Sequence, residues 1–227
     1  MNRPDHAAIE FATAMASCVH ELKNSVGSMV DRVDSLEDDL GPNLLAKPSL
    51  EALRIQAGRV QHDLTLLLQV FGMERGMGGV HMNHVDLEEF AEDVTAQLAP
   101  LCALSNARFE ASNRGGTTGF FDESLIASVI GSMTHNAVRA GADKVFCDVD
   151  REDDWLIIRI GDNGPGFPHS ILEDGDGAGR SLEPDRTGLG IYFARRLTHA
   201  HSHKGRHGKV QLKNRTAGGA EVTLLLP

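Results

Sequence analysis

The stretch WLIIRIGDNGPGF, Trp155 to Phe167, decides the fold of the second half of this chain. Its first residues form an almost continuous apolar run, the mark of a strand buried in a sheet. Asp162 ends the run, and Asn-Gly-Pro-Gly turns the chain directly afterwards. A carboxylate at the end of a buried strand could project into a pocket and accept a hydrogen bond from an amino group. The plain alternative is a turn and nothing more, so the flanking sequence has to decide.

Upstream lies a second apolar strand, KVFCDVD, and before it a helix whose Leu125, Ile126, Val129, Ile130, Met133 and Val138 recur at three- and four-residue steps. Asp122 suits the N-cap of that helix. Asn136 lies near its apolar face, where an amide is either paired or part of a site, because a buried unpaired polar group costs roughly 1–3 kcal/mol. Earlier still, a helix over Leu87–Leu104 precedes the short strand ARFEAS. Downstream, RTGLGIYFARR places Thr187, Gly188, Leu189 and Gly190 at a helix start, where glycines let an anion approach backbone N–H groups and the helix dipole favours it. KVQLKN and AEVTLLL, joined by RTAGG, form a terminal hairpin. Mixed strands and helices predict an α/β sandwich with helices over one face of a sheet.

The first half reads differently. Apolar residues recur at helical spacing from Ala7 to Leu40, GPN interrupts at 41–43, and a second periodic run continues to Phe71. Residues 1–76 are therefore expected to form an antiparallel helical hairpin. Two helices bury little by themselves, so a second copy should complete a four-helix bundle. Residues 77–84 are glycine-rich and aperiodic, a linker, and 85–227 form the α/β domain; the whole is an α+β chain.

Composition narrows the classes. Of 227 residues, 41% are hydrophobic and 24% charged, a globular balance, and the net charge of −10 opposes nonspecific attraction to nucleic acid or anionic membrane. An aromatic content of 5% disfavours base-stacking modules. The scattered Cys18, Cys102 and Cys147 fit a reducing compartment, and no apolar run suits a membrane span or secretion signal. The expectation is a cytoplasmic protein. His199, His201, His203 and His207 crowd a segment read as a surface loop, but no cysteine or carboxylate pattern supports metal binding.

A lone Gly-Leu-Gly says little. The order of elements says more: an asparagine on a helix, a strand ending in Asp-Asn-Gly-Pro-Gly-Phe, then Thr-Gly-Leu-Gly opening a helix. In this the chain resembles the GHKL ATPase superfamily, which includes gyrase, mismatch-repair ATPases and histidine kinases, over approximately 85–227. The resemblance implies ATP and magnesium, with Asn136 on the metal and Asp162 on the adenine amino group. It implies that Gly164 and Gly166 let the pocket wall approach the base, that Thr187, Gly188, Leu189 and Gly190 wrap the phosphates, that Arg139 faces phosphate, and that 168–186 is a lid.

HELKN, His20 to Asn24, resembles the phosphoacceptor box of histidine kinases. By that likeness His20 attacks the γ-phosphate, Glu21 aids proton removal, and Asn24 positions water for dephosphorylation. Residues one and four beyond His20 stand about 100° and 40° around a helix, so Asn24 stacks over it and Glu21 flanks it. Three positions depart from the family: Ser25 replaces a usual proline, Ser132 stands where an asparagine or a water-activating glutamate is common, and Arg186 replaces the first phosphate-loop glycine.

The function implied is a homodimeric histidine kinase that passes its phosphoryl group to an aspartate of a response-regulator receiver domain. Nineteen residues precede His20, too few for a sensor domain, so input is expected from a partner protein, from sequence beyond this chain, or from a ligand on the core. A kinase-like adaptor that docks a regulator without ATP-dependent autophosphorylation is the competing reading. An anti-sigma-factor kinase is a third, disfavoured by HELKN.

Overall fold

The computed structural model describes residues 19, 22–24, 26–29, 47–74, 79–173 and 189–227. The chain divides into two compact units, Met1–Gly79 and Val80–Pro227.

In the first unit, residues 22–24 and 26–29 are helical and α1 spans Lys47–Glu74. Gly27 sits where an added Cβ would be 3.6 Å from Gln61 Nε2, so the two helical stretches touch at that level. Leu66 and Val70 are buried, whereas Leu22, Met29, Leu53 and Val60 are exposed. The rest of the expected hairpin, including His20, Glu21 and Ser25, lies outside the described residues.

The second unit is an α/β sandwich. Its elements are β1 (Asn83–Asp86), α2 (Leu87–Leu104), β2 (Arg108–Asn113), β3 (Thr118–Phe121), α3 (Glu123–Arg139), β4 (Lys144–Glu152), β5 (Trp155–Asp162) and α4 (His169–Glu173). After these come α5 (Leu189–Ala200), β6 (Ser202–His203), β7 (Arg206–His207), β8 (Lys209–Asn214) and β9 (Ala220–Leu226). Five strands form one sheet in the order β2-β4-β5-β9-β8, with β2 and β4 parallel and the other pairs antiparallel. The helices α2, α3 and α5 pack beside one another against it.

Alternation explains why one face is covered. In β4 Val145, Cys147 and Val149 are buried, and so are Ile126 and Ile130 of α3, Phe193 and Leu197 of α5, and Ile158 and Leu224 of β5 and β9. Each such side chain contributes roughly 1.5–3 kcal/mol on burial. The other face carries charge: Arg159 pairs with Asp150 at 3.1 Å and with Glu152, and Ser112 Oγ donates to Asp148 at 2.6 Å. Bonds from the Arg151 N–H and from the Arg159 guanidinium hold the Asp150 carboxyl below its ordinary range.

Caps set the helix starts. Asp86 accepts from the Glu88 and Glu89 amides at 2.9 and 3.1 Å, and Asp122, as read from the sequence, accepts from Leu125 N at 3.1 Å. Several features escaped the sequence reading, among them β3 and the short helix α4. Asn83 and His84, assigned to the linker, belong to β1, which pairs antiparallel with β3 and brings Phe121 edge-on to Phe90 at 5.2 Å. The histidine-rich segment is also no simple surface loop, since it folds into the β6–β7 ribbon and buries His201 completely.

Candidate functional site

Asp162 ends β5 and is buried. Its Oδ1 accepts from the Gly164 amide at 2.7 Å and from the Ala220 amide at 3.1 Å, fixing the carboxylate between the loop it begins and the start of β9. Its carbonyl takes a hydrogen bond from Arg215 Nη1 at 2.9 Å. Gly219, at φ 92°, packs on the same carbonyl so closely that a side chain would collide with backbone. The sharp turn of Arg-Thr-Ala-Gly-Gly thus closes over the Asp162 peptide.

The residues after Asp162 each have a task. Asn163 Oδ1 accepts from the amides of Asp143 and Lys144 at 3.1 and 3.0 Å, and its Nδ2 donates to Asp143 Oδ1 at 2.5 Å. The turn leaving α3 is therefore tied to the loop leaving β5. Gly164 brings its backbone within reach of Ala142, where an added Cβ would stand 3.4 Å from the alanine methyl. Gly166 adopts φ 83°, and Asn214 straps the next residue on both sides, accepting from Phe167 N at 2.6 Å and donating to Phe167 O at 2.9 Å. Gly161, one residue before the aspartate, leaves its Cβ space to the Phe146 ring, which Arg215 covers from 4.5 Å.

Helix α3 supplies the other wall. Ser132 is buried, Asn136 half-buried, and Arg139 ends the helix, exposed. The opening of α5 settles on them: a Cβ on Gly190 would lie 2.5 Å from Asn136 Nδ2 and 2.9 Å from Ser132 Oγ. A helix N-terminus, whose first N–H groups have no partner within the helix, is thereby brought against a carboxamide, an arrangement suited to an anion and the cation that accompanies it. Gly190 and Asn136 meet, and Asp162 is tied to the end of the same α3 through Asn163. Thr187 and Gly188 lie outside the described residues, as does most of the expected lid; for Leu189 only its place at the start of α5 is described. Asn24 is exposed on its helical stretch.

Sequence reasoning missed Asn163, Asn214, Arg215 and His201. The first three stand at turns, where Asn and Arg are commonplace, and their partners lie far along the chain. Among the described residues no His, Cys, Asp and Glu cluster fits a metal ion. His199 and His207 stack at 4.6 Å, and His203 leans on Phe120, which is aromatic packing. Cys102 and Cys147 are buried, and burial, helped by Asp148, pushes the Cys147 thiol up to about 12. A cleft of about 680 Å³ lies elsewhere, between α2 and the start of α3.

Residues 121–227 match the sequence model of the family described as histidine kinase-, DNA gyrase B- and HSP90-like ATPases. The chain is similar to the signal transduction histidine-protein kinase AfsQ2 of Streptomyces coelicolor, 24% identical over 227 residues, which cover 94% of this chain and 41% of that protein. It is similar also to the sensor histidine kinase GtrS of Pseudomonas aeruginosa, 26% identical over 234 residues, covering 99% of this chain and 44% of that one. The chain thus spans less than half the length of these two relatives. Full-length ShkA, solved in complex with AMPPNP, matches with a TM-score of 0.65 at 18% identity, covering 95% of this chain and 45% of that one, a likeness of fold.

Proposed function

We propose that the chain, whose residues 121–227 match the sequence model of histidine kinase-, DNA gyrase B- and HSP90-like ATPases, is the catalytic core of a two-component histidine kinase using ATP as phosphoryl donor. The observation that carries this reading is the contact of Gly190 with Asn136, since it brings a helix start and a carboxamide together where phosphate and magnesium would have to meet. Asn136 would hold magnesium, which supplies positive charge to the phosphate oxygens. Thr187, Gly188, Leu189 and Gly190 would wrap the phosphates and Arg139 would face them. Both hydrogen bonds described for the Asp162 carboxylate fall on Oδ1, which leaves Oδ2 to accept from the adenine amino group. Gly164 and Gly166 would let the loop approach the base.

An imidazole nitrogen of His20 would attack the γ-phosphorus, forming an N–P bond as the bond to the β–γ bridging oxygen breaks and ADP leaves; Glu21 would take the imidazole proton. The phosphoryl group would pass next to an aspartate of a response-regulator receiver domain. Asn24, exposed on its helix, would position water for the reverse, hydrolytic step. A homodimer is supported by apolar exposure in the first unit: Leu22 and Met29 are 50% and 56% exposed, Leu53 and Val60 52% and 46%, each pair seven residues apart on one helical face. The contact of Gly27 with Gln61 supports the hairpin. Among the described residues no helix is long and apolar enough to cross a membrane, and we place this core in the cytoplasm with input from a separate or further sensor.

The test is incubation of the chain with γ-labelled Mg-ATP. An acid-labile, base-stable label that disappears in His20→Ala, while that variant still binds nucleotide, is the expected result; undiminished labelling of the variant sinks the assignment. Ser132, a hydroxyl at the Gly190 contact where the resemblance implies an asparagine or a glutamate, is the feature that favours the adaptor reading. Nucleotide binding with no label, even with a receiver domain added, would favour it.

A further inference from the structure

Helices α3 and α5 are joined at two places about one helix length apart. At one, Gly190 seats on Ser132 and Asn136. At the other, His201, directly after α5, is fully buried; its Nε2 accepts the Asp122 N–H at 3.1 Å and its Nδ1 faces the Leu197 carbonyl at 2.8 Å. An amide N–H can only donate and a carbonyl can only accept, so Nδ1 carries the proton and the ring is neutral. Asp122 is itself pinned, accepting from His81 N at 2.8 Å and from Ser124 Oγ and Leu125 N at 3.1 Å. At about 1.5 Å per residue, Gly190 to His201 spans ~16 Å, and Asp122 to Ser132 and Asn136 spans ~15 and ~21 Å. The two helices therefore lie antiparallel with matched lengths, and a shift of α5 at His201 moves its first turn by a similar amount.

We infer that His201 is a positioning residue: by holding the end of α5 to the N-cap of α3 it sets the distance between Gly190 and Asn136, and so the fit of a nucleotide's phosphates. The inference rests on the nucleotide reading above. It assigns His201 no contact with ligand. Losing the clamp should weaken what touches the phosphate end and leave recognition of the base, assigned to Asp162 at the end of β5, nearly untouched.

The experiment compares wild type, His201→Leu and His201→Gln by titration calorimetry with Mg-ADP and with adenosine, using the full chain at a temperature where all three are folded. His201→Leu should weaken Mg-ADP roughly tenfold and adenosine less than about twofold, and His201→Gln, which restores an acceptor, should come within about threefold of wild type. Equal losses for both ligands, or none, overturn the inference. Hydrogen exchange without nucleotide is the second arm: residues 189–194 should exchange faster in His201→Leu while α2 does not change. Unchanged exchange at 189–194 overturns the clamp alone. A wild-type chain that binds neither ligand removes the nucleotide reading, and with it the positioning role.

Discussion

The Cα of Gly190 stands so near Asn136 that one added methyl group would lie 2.5 Å from the asparagine Nδ2. The atoms in the way, Asn136 Nδ2, Ser132 Oγ and Met133 Cε, are all side-chain ends that can turn aside. Alanine also favours a helix over glycine by about 1 kcal/mol. Gly190→Ala should therefore change stability by less than about 1 kcal/mol, yet it must displace the amide assigned to magnesium, so Mg-ADP affinity should fall at least roughly tenfold. Calorimetric titration beside a thermal melt reads both; unchanged affinity would remove Asn136 from the site.

Two adjacent glycines should behave differently. Gly218 and Gly219 adopt φ 91° and 92°, but a Cβ at 218 meets open space whereas one at 219 runs into the Asp162 carbonyl. Gly218→Ala should cost about 1 kcal/mol, the strain of the left-handed backbone alone. Gly219→Ala should cost roughly 2–4 kcal/mol, because backbone rather than a side-chain end must move. Denaturant titrations of the two variants check the difference, and equal costs would contradict the packing described for Asp162.

Asn214 holds Phe167 by its amide and its carbonyl at 2.6 and 2.9 Å. Asn214→Leu removes both bonds from an exposed site, so stability should fall by about 1 kcal/mol. Slack in the Gly164–Phe167 turn should weaken adenosine binding several-fold more than it weakens inorganic phosphate. Parallel titrations with adenosine and phosphate decide the matter.

Acid should loosen the second unit through His201. Burial holds this imidazole below its ordinary pKa against the opposing pull of the Leu197 carbonyl and of Asp122, the charged group that faces it. On the side of the β6–β7 ribbon, Gly208 N donates to the His201 carbonyl at 2.8 Å, and His207 and His199 stack on each other. A folded pKa below the unfolded value near 6.5 means that the unfolded chain takes up the proton first. The contribution is thus complete above pH ~6.5 and is lost as pH falls through the folded value, at no more than roughly 1.4 kcal/mol per pH unit. Melting temperature should drop from pH 7.5 to 5.5 more steeply in wild type than in His201→Gln, and parallel slopes would deny His201 this role.

Much of the second unit was legible in the sequence because its signals are local. The continuous apolar run of β5, the three- and four-residue spacing of α3 and the cap at Asp122 are properties of neighbours, and helix α2 spans the residues its periodicity indicated. The order of Asn136, Asp162 and Gly190 along the chain carried the resemblance to the GHKL superfamily. Tertiary structure decided what distance along the chain conceals. Strand β1, four residues with a single buried side chain, has no pattern of its own and exists because β3 pairs with it. Asn214 finds Phe167 across 47 residues and His201 finds Asp122 across 79, contacts that only the closed sheet and the packed helices create. A polar side chain carries no periodicity that names its partner, so the sequence determined the elements with an apolar pattern of their own and their order. Only folding decided which of their side chains hold the site.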